Sequence, residues 1–212
     1  MVIAAVAWFL FGRSSPKKLA VTGGPRVTTS PQAVAGRWSP GPGSVAGYRV
    51  REKLAQLPSN DDAVGRSSVV TGELTLVQAG QGATATDAHF EADVTQLKSD
   101  QSRRDNFIRT RGLESDRFPM ATFRSTAPVT VAPQALSGQV VRVDVPGDLT
   151  IHGQTRRVTI PVDAQLKGIQ IELVGSLTFP FSDFGMQPPS IGGFVSVESN
   201  ATLEVRLELA RA

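Results

Sequence analysis

The sequence contains no cysteine. That excludes a disulfide framework, a thiolate metal site and a thiol nucleophile. Histidine is almost absent as well. His89 and His152 stand far apart, and no His/Asp/Glu group has ligand spacing, so neither a metal nor another cofactor is expected. There is no G-x-S-x-G turn, no glycine-rich phosphate loop and no Ser/His/Asp set. An excess of one charge is also missing. Lys and Arg number 22 against 19 Asp and Glu, a net of +3, too little for a nucleic-acid stripe, and no nucleic-acid partner is expected. No apolar run reaches the ~20 residues of a spanning helix. Residues 2–11 (VIAAVAWFLF) are about half that length, with Arg13, Lys17 and Lys18 behind them.

What the chain does have is alternation. The 212 residues suffice for one domain of barrel or sandwich size plus a tail. Residues 2–11 lack the basic start and small-residue cleavage site of a secretory signal. We read residues 1–12 as an apolar anchor, the second half of a longer membrane segment, with a short interfacial segment as the alternative. Residues 13–36 are rich in Gly, Pro, Ser and Thr and read as a flexible linker. The globular domain is expected over 37–212.

Strand patterns fill that domain. Val45–Leu54 carries Tyr48 and Val50 on one face, and residues 58–62 form a turn cluster. Val70, Gly72, Leu74 and Leu76 share a face. Thr84, Thr86, Ala88, Phe90, Ala92 and Val94 alternate with Ala85, Asp87, His89, Glu91 and Asp93, the clearest half-buried strand. A strand over 139–151 is interrupted at Pro146-Gly147, where a bulge or bend is expected. His152-Gly153-Gln154 predicts a tight hairpin. Val158, Ile160, Val162, Ala164 and Leu166 follow on one face, then Ile171, Leu173, Gly175, Leu177 and Phe179, a Pro/Gly-rich loop, and a last strand over 195–209.

The alternation fails once, over residues 101–123. There Phe107, Ile108, Leu113 and Phe118 recur at helical spacing among five arginines. About eight strands with short connections close most economically as an up-and-down antiparallel barrel. Small inward residues such as Ala88, Ala92, Ala121 and Ala201 leave room inside it. The expected fold is therefore all-β, an eight-stranded antiparallel barrel with a short helical insertion and an N-terminal apolar segment.

The motifs Val45-Ala46-Gly47-Tyr48-Arg49-Val50, residues 93–100 (DVTQLKSD), Arg104-Asp105, Phe118-Pro119 with Phe123, Leu149-Thr150-Ile151-His152-Gly153 and Asp183-Phe184-Gly185 follow in order. In this order and spacing the chain resembles the YceI-like family of lipocalin-like barrels, in the membrane-anchored form common among exported actinobacterial proteins. The resemblance covers residue 38 to about residue 210. It implies a barrel capped by the insertion, with a long apolar pocket for a polyisoprenoid, quinone or prenyl pyrophosphate. It departs from the family pattern at Arg157 and Phe181, so no head-group preference is carried over.

Under this reading Phe90, Phe107, Ile108, Phe118, Phe123, Phe179 and Phe184 are the wall or lid candidates. Arg104 and Arg109 are head-group candidates, and Asp105 anchors the insertion as an ion pair or helix cap. The expected partner is a polyisoprenoid-type lipid, held by a non-enzymatic carrier, store or sensor. A membrane meets the N-terminal segment, with the barrel on the extracytoplasmic side. Replacing Phe107 with Asp is expected to abolish lipid retention. Two other readings stand beside this one: a barrel enzyme acting through Asp105 or His152, and a ligand-free envelope domain. Cavity volume separates the lipid-binding reading from the ligand-free one, because a drug-sized ligand needs roughly 300 Å³.

Overall fold

The computed structural model describes residues 15–23, 31–54, 62–191 and 195–212. A single helical turn, α1 (Pro31–Val34), leads into β1 (Gly36–Pro40), β2 (Val45–Leu54), β3 (Asp62–Ser67), β4 (Val70–Ala79) and β5 (Gly82–Asp93). The insertion forms α2 (Ser102–Phe107), extended by one π turn over Ile108–Gly112. Then come β6 (Met120–Ser125), β7 (Val129–Val131), the turn α3 (Pro133–Leu136), β8 (Val141–Ile151), β9 (Gln154–Lys167) and β10 (Gln170–Pro180). The chain finishes with β11 (Ser190–Ile191), β12 (Val195–Val197) and β13 (Asn200–Arg211).

The strands close into an eight-stranded antiparallel barrel. β1 and β2 are one bent stave, since both lie beside β13, through Trp38↔Arg211 and Ala46↔Val205. β3 and β4 make the next stave, pairing with β2 and β1 respectively. The circuit continues β5, β6, β8, β9, β10 and back to β13. Val34, Trp38, Leu74, Leu76, Leu136, Leu166 and Leu209 seal one end under α1 and α3. Trp38 is fixed there by its indole N–H, which donates to Val34 O at 2.8 Å. Among the described residues no helix is long and apolar enough to cross a membrane. Residues 2–11, read as an anchor, lie outside the described residues.

β2 runs over the residues whose alternation predicts it, and the hairpin at His152-Gly153 forms with both residues at positive φ (52° and 68°), as a two-residue primed turn requires. Two expectations are corrected, and one strand stands where none was expected. On β5 the strict alternation breaks at Asp87, which has a φ of 52° and sits at a register shift against β4. The extra residue flips the parity, so Ala85, not Thr84 or Thr86, shares the inner face with Ala88 and Phe90. On β8 no bulge occurs at Pro146, and the register with β9 is unbroken from Val141 to Ile151. Pro146 needs no N–H there. Its carbonyl accepts from Thr126 at the point where β6 ends, and below it β7 pairs with β5 but not with β8. Finally, β3 shows no apolar alternation because its inner residues, Ala63, Gly65 and Ser67, are small. A side chain at Gly65 would collide with the ring of Tyr48, its direct partner on β2.

The outer face over β2, β3, β10 and β13 is charged and covered. Arg49 (6% exposed) holds Glu204 (3% exposed) through Nε at 2.7 Å and Asp62 through Nη1 at 3.1 Å. Arg66 reaches Glu204 at 3.3 Å, and Arg206 lies 3.3 Å from Glu172. Residues 15–22 lie across this network as a strap. Ser15 exchanges hydrogen bonds with the Asp62 backbone, and Arg49, Arg66 and Arg206 donate to the carbonyls of Pro16, Lys17 and Ala20. The Thr22 N–H and hydroxyl donate to the Glu172 carboxylate at 2.9–3.1 Å. This part of the stretch read as a linker is docked on the barrel.

One pair in this network is unfavourable. Glu208 stands directly opposite Glu172 across β13 and β10. Burial, and then Glu172, raise the Glu208 carboxyl above the usual value of 4.5, with Lys167 and Arg206 acting the other way. A carboxyl whose folded pKa is raised contributes stability below its unfolded pKa and loses it as pH climbs through the folded value. Glu208→Gln is therefore expected to stabilise the protein at pH 7 by about 0.5 kcal/mol, the scale of a cross-strand like-charge pair. The gain should shrink as pH falls below 4.5. Denaturant unfolding at pH 7 and pH 4 checks both; a variant less stable at pH 7 would refute it.

Candidate ligand-binding site

The barrel encloses a cavity of about 280 Å³. Its floor is Val34, Ala135, Leu136 and Leu166, all buried. Its middle is walled by Leu74, Ala88, Phe90, Val162, Leu173 and Val205. Nearer the other end stand Tyr48, Val50, Ala121, Phe123, Leu149, Phe179 and Ala201. At that end Ile108, Gly112 and Leu113 of the insertion, with Gln187 and Pro189 of the loop after β10, complete the lining. They are half-buried or exposed, so this end is the mouth. The lining is almost wholly apolar. Gly147 keeps the space open, because the Phe123 ring lies where its side chain would be.

Polar contacts hold the insertion over the mouth. Arg104 on α2 pairs with Glu52, on the inner parity of β2, at 3.1 Å, and also with Asp100. Burial alone would lower the Arg104 pKa, but Glu52, Asp100 and Tyr48 around it hold the guanidinium above its usual range. Asp105 accepts from the Ser99 N–H at 2.9 Å and from its hydroxyl at 2.6 Å, tying α2 to the chain before it. At the far end of the insertion, His152 Nδ1 lies 3.1 Å from Phe184 O and Nε2 lies 3.4 Å from Glu114. Phe118 meets the His152 ring edge-on, with centroids 4.6 Å apart, over the space left by Gly153.

Of the residues singled out from sequence, Phe90, Ile108, Phe123 and Phe179 line the cavity together. Phe107, Phe118 and Phe184 do not. Phe107 packs by Gly112 within the insertion, Phe118 against His152, and Phe184 edge-on to Phe179 behind the wall at 4.8 Å. Arg109 is exposed beside Asn106 and Asp116, and Arg104 is engaged by carboxylates; neither lines the cavity. Asp105 holds the insertion, bonded to Ser99 and not paired with Arg104. Neither Asp105 nor His152, the side chains on which a barrel enzyme would rest, lines the cavity. Leu97, Leu113 and Met186 line it without having been singled out. Leu113 shares the helical spacing of Ile108. Leu97 and Met186 lie in irregular segments, where no period marks a face.

The model of the YceI-like domain matches residues 44–209, most of the chain. This protein belongs to the YceI-like family. Among curated proteins it is similar to a UPF0312 protein of Vibrio cholerae, 28% identical over 141 residues that cover 63% of this chain and 70% of the relative. A UPF0312 protein of Vibrio vulnificus is 25% identical over the same shares. Among solved structures, the YceI-like barrel is similar to a polyisoprenoid binding domain from Saccharophagus degradans implicated in plant cell wall breakdown. The TM-score is 0.58 at 14% identity, covering 84% of this chain and 99% of that one. Burkholderia cenocepacia BcnA gives 0.55 at 19% identity, covering 78% and 96%. At these identities the structures support the shared fold.

Proposed function

We propose that this YceI-like barrel binds a long apolar amphiphile of the polyisoprenoid type, with its chain in the cavity and its polar end at the mouth. The observation that carries this is the cavity itself, apolar from the α1–α3 floor to the underside of the insertion. The name of the Saccharophagus degradans neighbour supports the ligand class. Each buried methylene contributes about 0.8 kcal/mol before the costs of association. The volume of about 280 Å³ stands just under the roughly 300 Å³ of a drug-sized ligand, so volume by itself does not favour the lipid over an empty barrel; the apolar lining and the open mouth do. A long lipid fills it and continues out through the mouth, along Ile108 and Leu113.

Membrane attachment through residues 2–11 belongs to the same reading. The strap brings the chain to Asp62, next to Arg51, at the end where Glu52 meets the insertion. An anchor preceding Ser15 would therefore hold the mouth toward the bilayer, as suits a carrier, store or sensor on the extracytoplasmic side. Organic extraction of the purified full chain with mass spectrometry tests the ligand: a prenyl lipid should be recovered at near one per protein. Protein that is always empty and takes up no prenyl lipid would overturn the proposal. In the same preparation the full chain should pellet with membranes and a chain beginning at residue 15 should not; equal partition of the two removes the anchor.

A further inference from the structure

The lining of the cavity has one feature that an apolar chain does not use. Tyr48 crosses the inner face of the barrel just below the mouth, with its ring laid over Gly65. Its hydroxyl oxygen is buried and has no hydrogen-bond partner. Gln165 also lines the cavity and carries an orphaned oxygen. However, Gln165 lies on the outward parity of β9, next to Leu166, and its amide nitrogen is bonded to Gly138 O at 2.8 Å. Tyr48 is on the inward parity, between Ala46 and Val50. A buried hydroxyl without a partner is costly, and buried polar groups in folded proteins are as a rule satisfied.

The groups around the hydroxyl say what kind of partner fits. Burial keeps the phenol protonated far above its usual range. Arg104 acts the other way, while Asp105, Glu52 and Asp100 reinforce the burial. A protonated phenol offers a donor. The neighbouring charges are one arginine against three carboxylates, and that arginine is already paired with Glu52 and Asp100. A pyrophosphate brought to this hydroxyl would face that net negative shell, whose single arginine is already engaged. A neutral carbonyl or hydroxyl oxygen meets no such penalty and receives the hydrogen bond.

We propose that Tyr48 is the head-group determinant of this barrel: its hydroxyl donates to a neutral oxygen of the bound amphiphile, which selects prenyl quinones and prenyl alcohols over prenyl pyrophosphates. This rests on the lipid-binding reading above and narrows it. The orphaned donor of the empty barrel becomes satisfied in the loaded one, so the bond adds to affinity without stabilising the empty state.

The test uses the full chain and four probes with C20 prenyl-type tails: menaquinone-4, geranylgeraniol, geranylgeranyl pyrophosphate and the hydrocarbon phytane. Binding is followed by intrinsic fluorescence for wild type and Tyr48→Phe. In wild type, menaquinone-4 and geranylgeraniol are expected to bind about tenfold more tightly than phytane, the value of one hydrogen bond, and the pyrophosphate more weakly than the alcohol. In Tyr48→Phe that tenfold advantage disappears and phytane affinity is unchanged. The thermal midpoint of the empty variant should not fall, because the lost hydroxyl had no partner. Pyrophosphate binding tightest in wild type overturns the proposal. So does a Tyr48→Phe protein that keeps the full preference for quinone and alcohol, or an empty variant that melts several degrees lower. Wild type that binds none of the four, phytane included, is the separate failure of the lipid-binding reading.

Discussion

Arg49→Ala is expected to lower the free energy of unfolding by about 3 kcal/mol, a large part of the 5–15 kcal/mol typical of a single domain. Arg49 is 6% exposed and sits between two acids, with Nε 2.7 Å from Glu204 and Nη1 3.1 Å from Asp62. Burial alone would lower its pKa, and the two carboxylates more than compensate. Removing one member of a buried pair costs about 3–5 kcal/mol because the other charge stays desolvated. Here the lower end applies, since Arg66 still reaches Glu204 at 3.3 Å. Lysine should not rescue, because it cannot serve Glu204, Asp62 and the Pro16 carbonyl from one planar group. Replacing both partners, as Arg49→Met with Glu204→Leu, should recover most of the loss, since the two most buried charges leave together, Asp62 keeps Arg51 at 2.9 Å and Arg66 is partly open to water. Guanidinium unfolding of the four proteins decides the matter: a loss below about 1 kcal/mol in Arg49→Ala would show that the network is not a stabilising one, and full rescue by lysine would show that its charge suffices without the planar fork.

That network marks where the sequence was hard to read. Alternation made most staves legible because an inner face of Val, Leu, Ile and Phe contrasts with an outer face of Arg, Glu and Thr, as in β9 and β10. It hid β3, where an aromatic ring on the neighbouring strand takes the space and leaves only Ala63, Gly65 and Ser67 inside. It misassigned half of β5, because a bulge at Asp87 is a backbone event that leaves no mark in a polar/apolar pattern. The strap is invisible for a different reason. Its Pro, Lys, Ala and Thr residues bury little apolar surface and are held mainly by their backbone carbonyls, so composition suggests a free linker. The cavity wall was partly legible because inward strand positions and wall positions coincide. The lid was less so. A helical period says that one face is covered, but not which of Phe107 and Ile108, adjacent in sequence, faces the barrel.

The structure answers that question, and the second large effect follows from it. Ile108→Asp combined with Leu113→Asp is expected to reduce lipid retention at least a hundredfold, whereas Phe107→Asp, which alters a side chain outside the lining, should keep it within about twofold. Ile108 and Leu113 line the mouth and are half-buried in the empty barrel. Aspartates there remain in reach of water while the cavity is empty, so the fold should survive; Arg104–Glu52, Asp105–Ser99 and the contact of His152 with Glu114 still hold the insertion. When a lipid packs against them, both carboxylates must be desolvated against hydrocarbon, at several kcal/mol each. The penalty thus falls on the loaded state alone, and a loss of about 2.7 kcal/mol in binding already gives a hundredfold change. Quantifying extracted lipid per protein, with far-ultraviolet circular dichroism to show that the β-barrel persists, separates the outcomes. A double variant that is folded and keeps its lipid would mean that the insertion is not the lid. Loss of lipid in Phe107→Asp with retention in the double variant would reverse the assignment of the two neighbouring side chains.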